Sequence, residues 1–336
     1  MIKPRRPTLQ DVAERVGVTK MSVSRFLKNP EQVSATLREK IGQALDDLGY
    51  IPNKAPDMLS SAKSHAIGVL VPSMTNQVFA ELIRGIESVM DPAGYQSLLA
   101  HYSYSQQSEE ARITTLLSYN VDALILSESF HTDRVRRMIG TAGIPVVELM
   151  DSVSPAIGQA VGIDNEAAAF EMTKLMINRG HRKIVYFAAR MDTRTNLRFN
   201  GYQKAMIADN LEPLTLQTEE SSSYTRGALL LRQALHKHPD LDGIFSTNDD
   251  LAVGALFECQ RLGIAVPTQI GIAGFHGHDI TAAVVPRLAT VVTPREEMGR
   301  IAAQMILDRL AAIEPLKRVI NLPFHLEAGS SIRSKA

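Results

Sequence analysis

The chain has 336 residues, with 36 Lys+Arg against 36 Asp+Glu, so its formal net charge is zero. Its 45% hydrophobic residues exclude a disordered chain, its length suits two or three domains, and its single cysteine, Cys259, excludes an intrachain disulfide or a thiolate metal cluster. No apolar run approaches the ~18–20 residues of a membrane span, and no apolar h-region follows the basic N-terminus, so a cytoplasmic protein with no membrane partner is expected.

Zero net charge argues against a nucleic-acid partner only if the charge is evenly spread, and it is not. Residues 1–64 carry a net charge of +4 and the remaining 272 carry −4. Within the basic head, Thr8 caps a predicted helix with Leu9, Val12, Ala13 and Val16 on one face and Asp11 placed for a capping-box return bond. Gly17 ends that helix. Thr19 caps a second, Lys20 to Leu27, with Val23 and Phe26 or Leu27 inward, and Ser34 caps a third, Ala35 to Leu48, ended by Gly49. Three short helices with a glycine turn between the first two read as a helix-turn-helix domain over residues 1–52. Lys20, Met21, Ser22, Ser24 and Arg25 face outward on the second helix, where basic side chains and hydroxyls meet base edges and phosphates. The helix starts at Thr8 and Thr19 also suit phosphate.

The strings Thr8-Leu9-Gln10-Asp11-Val12-Ala13, Gly17-Val18-Thr19, Val23-Ser24-Arg25, Val33-Ser34 and Tyr50-Ile51-Pro52-Asn53 resemble the head of the lac-repressor family. The resemblance implies a transcriptional repressor in which Lys20, Met21 and Arg25 read bases. It also implies that residues 53–64 form a hinge, with Asn53 as its cap and Lys54 beside it. Leu59 is then the residue that wedges into the minor groove and kinks the duplex. Pro56 is unusual for that segment and is tolerated in a first helical turn.

The remaining chain alternates predicted strands and helices. Strand Ile67–Val71, helix Phe79–Met90, strand Ser97–His101, helix Glu109–Tyr119, strand Ala123–Leu126, helix Asp133–Ala142 and strand Val146–Met150 come first. Helix Glu166–Arg179, strand Ile184–Ala188, helices Asn196–Asp209 and Thr225–His236, strand Gly243–Ser246 and helix Leu251–Leu262 follow. Strands Gly271–Phe275 and Thr290–Val292, helix Glu296–Ala312 and strand Val319–Leu322 complete the pattern. Short apolar strands between amphipathic helices mean parallel sheets wrapped on both faces. About 270 residues exceed one such unit, which predicts two lobes breaking near Val161–Asp164: an N-lobe of about 65–163 plus 293–325 and a C-lobe of about 164–292. Ile67-Gly68-Val69, Gly180-His181, Gly201-Tyr202, Asn248-Asp249 and Gly274-Phe275 are similar to the two-lobed, periplasmic-binding-protein-like core of the same family. That core crosses between lobes three times and holds its ligand in the cleft.

Ligands of open parallel sheets bind beyond the carboxyl ends of the strands. That rule picks out Ser73, Asn76, Glu128, Asp151, the segment Met191–Arg198, Asn248, Asp249 and His276 as effector-binding candidates. Arg194 and Arg198 are forks for a carboxylate, and Arg198 aligns with the family's effector-binding arginine. Asn248 and Asp249 can hold hydroxyls, although Asp249 equally suits a helix N-cap. His276 stands where sugar-binding relatives carry an aspartate; a histidine donates, and when protonated it suits an anion. Phe79 or Phe275 offers apolar contact. Ser73-Met74-Thr75-Asn76-Gln77, Glu148-Leu149-Met150-Asp151, Thr247-Asn248-Asp249-Asp250 and Gly274-Phe275-His276-Gly277-His278 resemble the gluconate-responsive branch of the family. They imply a sugar-acid effector, gluconate first and a related aldonate such as L-idonate as the alternative. They also imply operators at gluconate uptake and catabolism genes.

His276-Gly277-His278-Asp279 matches no zinc spacing, and no metal or cofactor is expected. No dinucleotide fingerprint, Walker loop or nucleophile elbow is present, so no catalytic residue is assigned and an enzyme is disfavoured. A sugar-acid-binding protein without a DNA role is disfavoured by the basic head. The chain ends soon after its last predicted strand without the leucine-repeat tail of the family's tetramers. A homodimer reading a pseudo-palindromic operator is therefore expected.

Overall fold

A computed structural model describes residues 5–53, 58, 63–152 and 157–334. The expected hinge residues Lys54 and Leu59 lie outside the described residues. Two compact units, 1–64 and 65–336, separate at Ser64.

The head contains α1 (Leu9–Val16), α2 (Lys20–Lys28) and α3 (Ala35–Leu48), with a 3-10 turn at Pro30–Gln32 that the sequence pattern did not predict. Val12, Ala13, Val23, Val33, Ile41 and Ala44 form its buried core, and both Phe26 and Leu27 pack against it. The capping box on α1 is complete: Thr8 N donates to Asp11 Oδ2 at 2.6 Å and Asp11 N donates back to Thr8 Oγ1 at 3.4 Å. Gly17 closes α1 in the left-handed region at φ 77°, a conformation that costs residues with a Cβ. The expected Ser34 cap differs, for its side chain makes no capping hydrogen bond. A bidentate pair from Arg38 to Glu31, at 3.0 and 3.1 Å, braces the loop before it.

The larger unit holds two six-stranded sheets. The first has β1 (Ala66–Val71), β2 (Gln96–His101), β3 (Ala123–Leu126), β4 (Val146–Asp151), β5 (Gln159–Ile163) and β11 (Val319–Asn321), in the order β11-β5-β4-β3-β1-β2. The second has β6 (Ile184–Ala189), β7 (Leu214–Thr218), β8 (Gly243–Ser246), β9 (Gly271–His276), β10 (Ala289–Val292) and β12 (His325–Glu327), in the order β12-β10-β9-β8-β6-β7. Among the described residues, all pairings are parallel except β10 with β12. Among the described residues, the chain passes between sheets three times, after β5, after β10 and after β11.

Helices α4 (Val78–Met90), α5 (Gln106–Ser118), α6 (Asp133–Ala142) and α12 (Arg295–Leu310) accompany the first sheet. Helices α7 (Asn165–Asn178), α8 (Thr193–Ala208), α9 (Tyr224–Lys237), α10 (Asp249–Leu262) and the short α11 (Asp279–Ala283) accompany the second. Three strands, β5, β7 and β12, and the short α11 were not predicted. β5 carries Gly162 and was read as the crossover, while β7 is a sheet edge with a mostly polar sequence. Helices α4 and α12 pack closely. A Cβ at Gly85 would overlap the Glu296 carbonyl, and one at Gly299 would overlap the Leu82 carbonyl. Two reciprocal glycines thus let these backbones approach closely and pin α12 where the chain enters it from β10.

Candidate functional site

Two surfaces are candidates. On the head, Lys20, Met21 and Arg25 are exposed along α2, and Met21, at 70% exposure, is a large apolar side chain with no core to join. Ser22 and Ser24 are half-buried. Thr19 Oγ1 accepts the Ser22 amide at 3.3 Å, so α2 starts with a fixed geometry. The hydroxyl of Thr8 donates to Asp11 Oδ2 at 2.7 Å. With its amide also bound there, Thr8 serves as a cap. Asn53 lies at the end of the described head.

The second surface is the cleft beyond the carboxyl ends of β1, β4, β6, β8 and β9. It holds a cavity of about 30 Å3 between the two sheets. Of the residues named from sequence, Asn76, Phe79, Arg194, Arg198, Asn248 and His276 line it, and Ser73, Glu128, Asp151 and Asp249 do not. Ser73 Oγ instead accepts the amides of Thr75 and Asn76, and Glu128 Oε1 accepts the Ser129 amide at 3.0 Å.

Arg198 is the centre of the cleft. It is 3% exposed, and Phe275 lies beneath its guanidinium, 3.9 Å from ring centroid to Cζ. Its Nε donates to Asn165 Oδ1 at 2.9 Å, and its Nη1 to the Thr247 carbonyl at 2.8 Å and to Asn248 Oδ1 at 3.3 Å. Nη1 also sits 3.2 Å from His276 Nε2. Burial lowers the Arg198 pKa to about 10, which leaves it charged at neutral pH. Burial, reinforced by the Arg198 charge, holds His276 well below the ordinary histidine range. Of the two roles open to this histidine, the neutral donor holds: the ring is uncharged, Nε2 accepts from Arg198, and Nδ1 carries the proton. Nδ1 is buried and has no hydrogen-bond partner among the described residues.

Arg194 spans the cleft, donating through Nη1 to the Ser127 carbonyl at 2.6 Å and approaching Asp151 Oδ2 at 4.0 Å. Burial opposes its charge, but Glu128, Asp192 and Asp151 outweigh that and raise its pKa. Asp151 lies beneath the wall and accepts from Asn165 Nδ2 at 2.7 Å. Burial raises its pKa to about 6 against the pull of Arg194 and Arg198. A continuous chain, Asp151–Asn165–Arg198–His276, thus joins β4 of one sheet to β9 of the other.

Asp249 has a different task from either expectation. It is fully buried, with Oδ1 accepting from Thr290 Oγ1 at 2.6 Å and Oδ2 from the His278 amide at 2.8 Å. Burial raises its pKa to about 7. Both oxygens are engaged by protein, so it ties β10 and the turn after β9 to the start of α10, whose N-cap is Asn248.

Sequence reasoning missed Asn165, Tyr104 and Arg190, and took in Asp192 and Thr195 only as part of the segment Met191–Arg198. Asp192 caps α8 by accepting the Thr195 amide at 2.8 Å, an N-cap signal that was legible. Four cavity residues, Tyr104 (φ 59°), Met150 (φ 82°), Arg190 (φ 48°) and His276 (φ 111°), hold left-handed backbone conformations that non-glycine residues rarely adopt. Such strain collects at functional sites, and sequence does not reveal it.

The family description "Bacterial regulatory proteins, lacI family" matches residues 8–53, and "Periplasmic binding protein-like domain" matches residues 173–332. The chain is 58% identical over 331 residues to the HTH-type transcriptional regulator GntR of Escherichia coli K12, covering 98% of this chain and all of that one. The chain belongs to the lacI family of bacterial regulatory proteins. A second relative, the HTH-type transcriptional regulator IdnR of E. coli K12, is 44% identical over 97% of this chain and 99% of its own. The crystal structure of a LacI-family transcriptional regulator from Silicibacter pomeroyi superposes with a TM-score of 0.91 at 32% identity, covering 98% of this chain and all of that one. Within this lacI-family chain, the first match spans α1 to α3. The second spans β6 to β12, including the C-terminal half of the cleft. Among the described residues, no helix is long and apolar enough to cross a membrane.

Proposed function

We propose that the chain is a transcriptional repressor of gluconate uptake and catabolism genes, released from its operator when a sugar acid binds in the cleft. The observation that carries this reading is the pair of buried guanidiniums, Arg194 and Arg198, facing a cavity between two lobes. Two charged forks inside a mostly desolvated cleft are suited to an anion with hydroxyls. The neutral His276 and the Asn248 amide add hydroxyl partners. Resemblance to the regulators GntR and IdnR supports an aldonate, gluconate ahead of L-idonate given 58% against 44% identity.

The mechanism follows from the cross-cleft bonds. Arg194 to Ser127 and Asn165 between Asp151 and Arg198 already link the lobes. An anion inserted among these donors changes their partners and hence the preferred lobe closure. The operator affinity then shifts by the ratio of effector affinities for the two closures. A homodimer with its two heads on a pseudo-palindromic operator matches this arrangement, and Leu59 and Lys54 belong to the segment joining head to cleft. No cofactor enters the mechanism, and the protein is not an enzyme.

The test is a titration of the full-length protein with gluconate, L-idonate and the neutral alditol glucitol, read by thermal melting and by gel shift on the operator. Gluconate is expected to raise the melting temperature and to release the DNA at concentrations where glucitol does neither. Equal responses to gluconate and glucitol overturn the sugar-acid reading.

A further inference from the structure

Tyr104 follows β2 of the first sheet and Arg190 follows β6 of the second, yet the two meet across the cleft. The Arg190 Cζ lies 3.8 Å from the Tyr104 ring centroid. Both residues line the cavity, and both are held in the left-handed region. The Arg190 backbone is fixed on each side: its amide donates to the Thr218 carbonyl at 2.7 Å, and its carbonyl accepts the Asp192 amide at 2.8 Å. Its Nε is buried and has no hydrogen-bond partner among the described residues. The charge it feels from Asp250 is shared, since Ser222 Oγ donates to that carboxylate.

Stacking on an aromatic ring uses the face of a guanidinium and leaves its N–H groups in the plane, free to bond at the edge. Arg194 and Arg198 have donors committed to Ser127, Asn165 and Thr247. Arg190 carries a buried donor with no acceptor, and a buried N–H–bearing group left unpaired costs free energy that a ligand acceptor recovers.

We propose that Arg190, stacked on Tyr104, is a specificity-determining residue that takes the effector's carboxylate at the cleft and so selects sugar acids over neutral sugars. This deepens the sugar-acid reading above and rests on it. Tyr104 is a positioning residue, setting the plane of the fork and linking effector contact on the second sheet to the first.

Calorimetric titration of the full-length protein tests it with two probes, gluconate and gluconamide, the second keeping every hydroxyl and lacking the charge. Arg190→Gln is expected to weaken gluconate binding about ten-fold or more while changing gluconamide binding little. Arg190→Lys keeps the charge without the planar fork and should recover only part of the loss. Tyr104→Ala should weaken gluconate less than Arg190→Gln, by freeing the fork. Ligand-free melting curves separate misfolding from lost recognition, and Arg190→Lys carries the test if Arg190→Gln fails to fold. Wild-type affinity for gluconate in either Arg190 variant, or equal losses for both probes, overturns the assignment alone. A wild-type protein that binds no aldonate overturns the sugar-acid reading and this assignment with it.

Discussion

Arg198 Nη1 lies 3.2 Å from His276 Nε2, and a permanent cation at that distance faces a lone pair, not an N–H. The neighbour therefore dictates the tautomer of His276 and leaves Nδ1–H as its free donor. Glutamine at this position keeps an acceptor toward Arg198, whereas asparagine keeps a donor near Nδ1. His276→Gln should melt close to wild type and bind gluconate about ten-fold more weakly. His276→Asn should lose more melting temperature, because Arg198 then lacks an acceptor. Calorimetry and thermal melting of the two variants check the assignment. The reverse order would place the proton on Nε2.

Arg198 is also a structural hub, since its removal leaves Asn165 Oδ1, the Thr247 carbonyl and His276 Nε2 buried with one partner fewer. Arg198→Ala should lose effector release in gel shifts and about 3–5 kcal/mol of stability in urea unfolding, as for one partner deleted from a buried charged network. Arg198→Lys should restore part of the stability, because one point charge replaces some of the fork's bonds.

A second buried network lies within the first lobe. His131 Nδ1 is 2.8 Å from Glu109 Oε1 and its Nε2 is 3.3 Å from Glu148 Oε1, all three side chains being almost fully buried. Burial opposes the imidazolium, but hydrogen bonds to Glu109 and Glu148 and their charges outweigh it and raise the pKa to about 9. A base whose folded pKa exceeds its unfolded value contributes stability that is complete below the unfolded pKa, about 6.5, and fades as pH rises through 9. The stability difference between wild type and His131→Gln should thus be largest near pH 6 and shrink by pH 9, measured by urea unfolding at each pH. A difference that grows with pH would contradict the charged triad.

Two glycines in helices make opposite predictions. Gly85→Ala drives a methyl into the Glu296 carbonyl, and overpacking between helices of this kind costs about 1–3 kcal/mol. Gly42→Ala in α3 meets nothing within 4 Å and should instead gain about 0.5–1 kcal/mol from helix propensity. Chemical denaturation of both variants decides whether close approach, rather than propensity, governs Gly85.

On the head, Arg25 is exposed on α2 beside Lys20 and Met21. Arg25→Ala should weaken operator binding about ten-fold or more if the fork reads a base edge. Rising salt should weaken the wild type steeply through counterion release. A uniform loss on operator and random DNA together with a shallower salt slope would move Arg25 from base reading to phosphate contact.

Much of this molecule was legible in its sequence, because local chemistry decides local structure. Thr8, Asp11 and Gly17 mark the ends of α1 by their own hydrogen-bonding groups and backbone freedom, and α1 and α3 span the predicted residues. The two-sheet core followed from short apolar strands alternating with amphipathic helices, and the strand-end rule located Arg198, Asn248 and His276 on the cleft wall. What only the tertiary structure decided are pairings between residues far apart in the chain. Burial and Arg198 made His276 neutral, Thr290 and His278 engaged Asp249, and the fold of two separate loops set Arg190 over Tyr104. Desolvation and partner geometry depend on which side chains arrive from the opposite lobe, and a linear pattern does not carry that information.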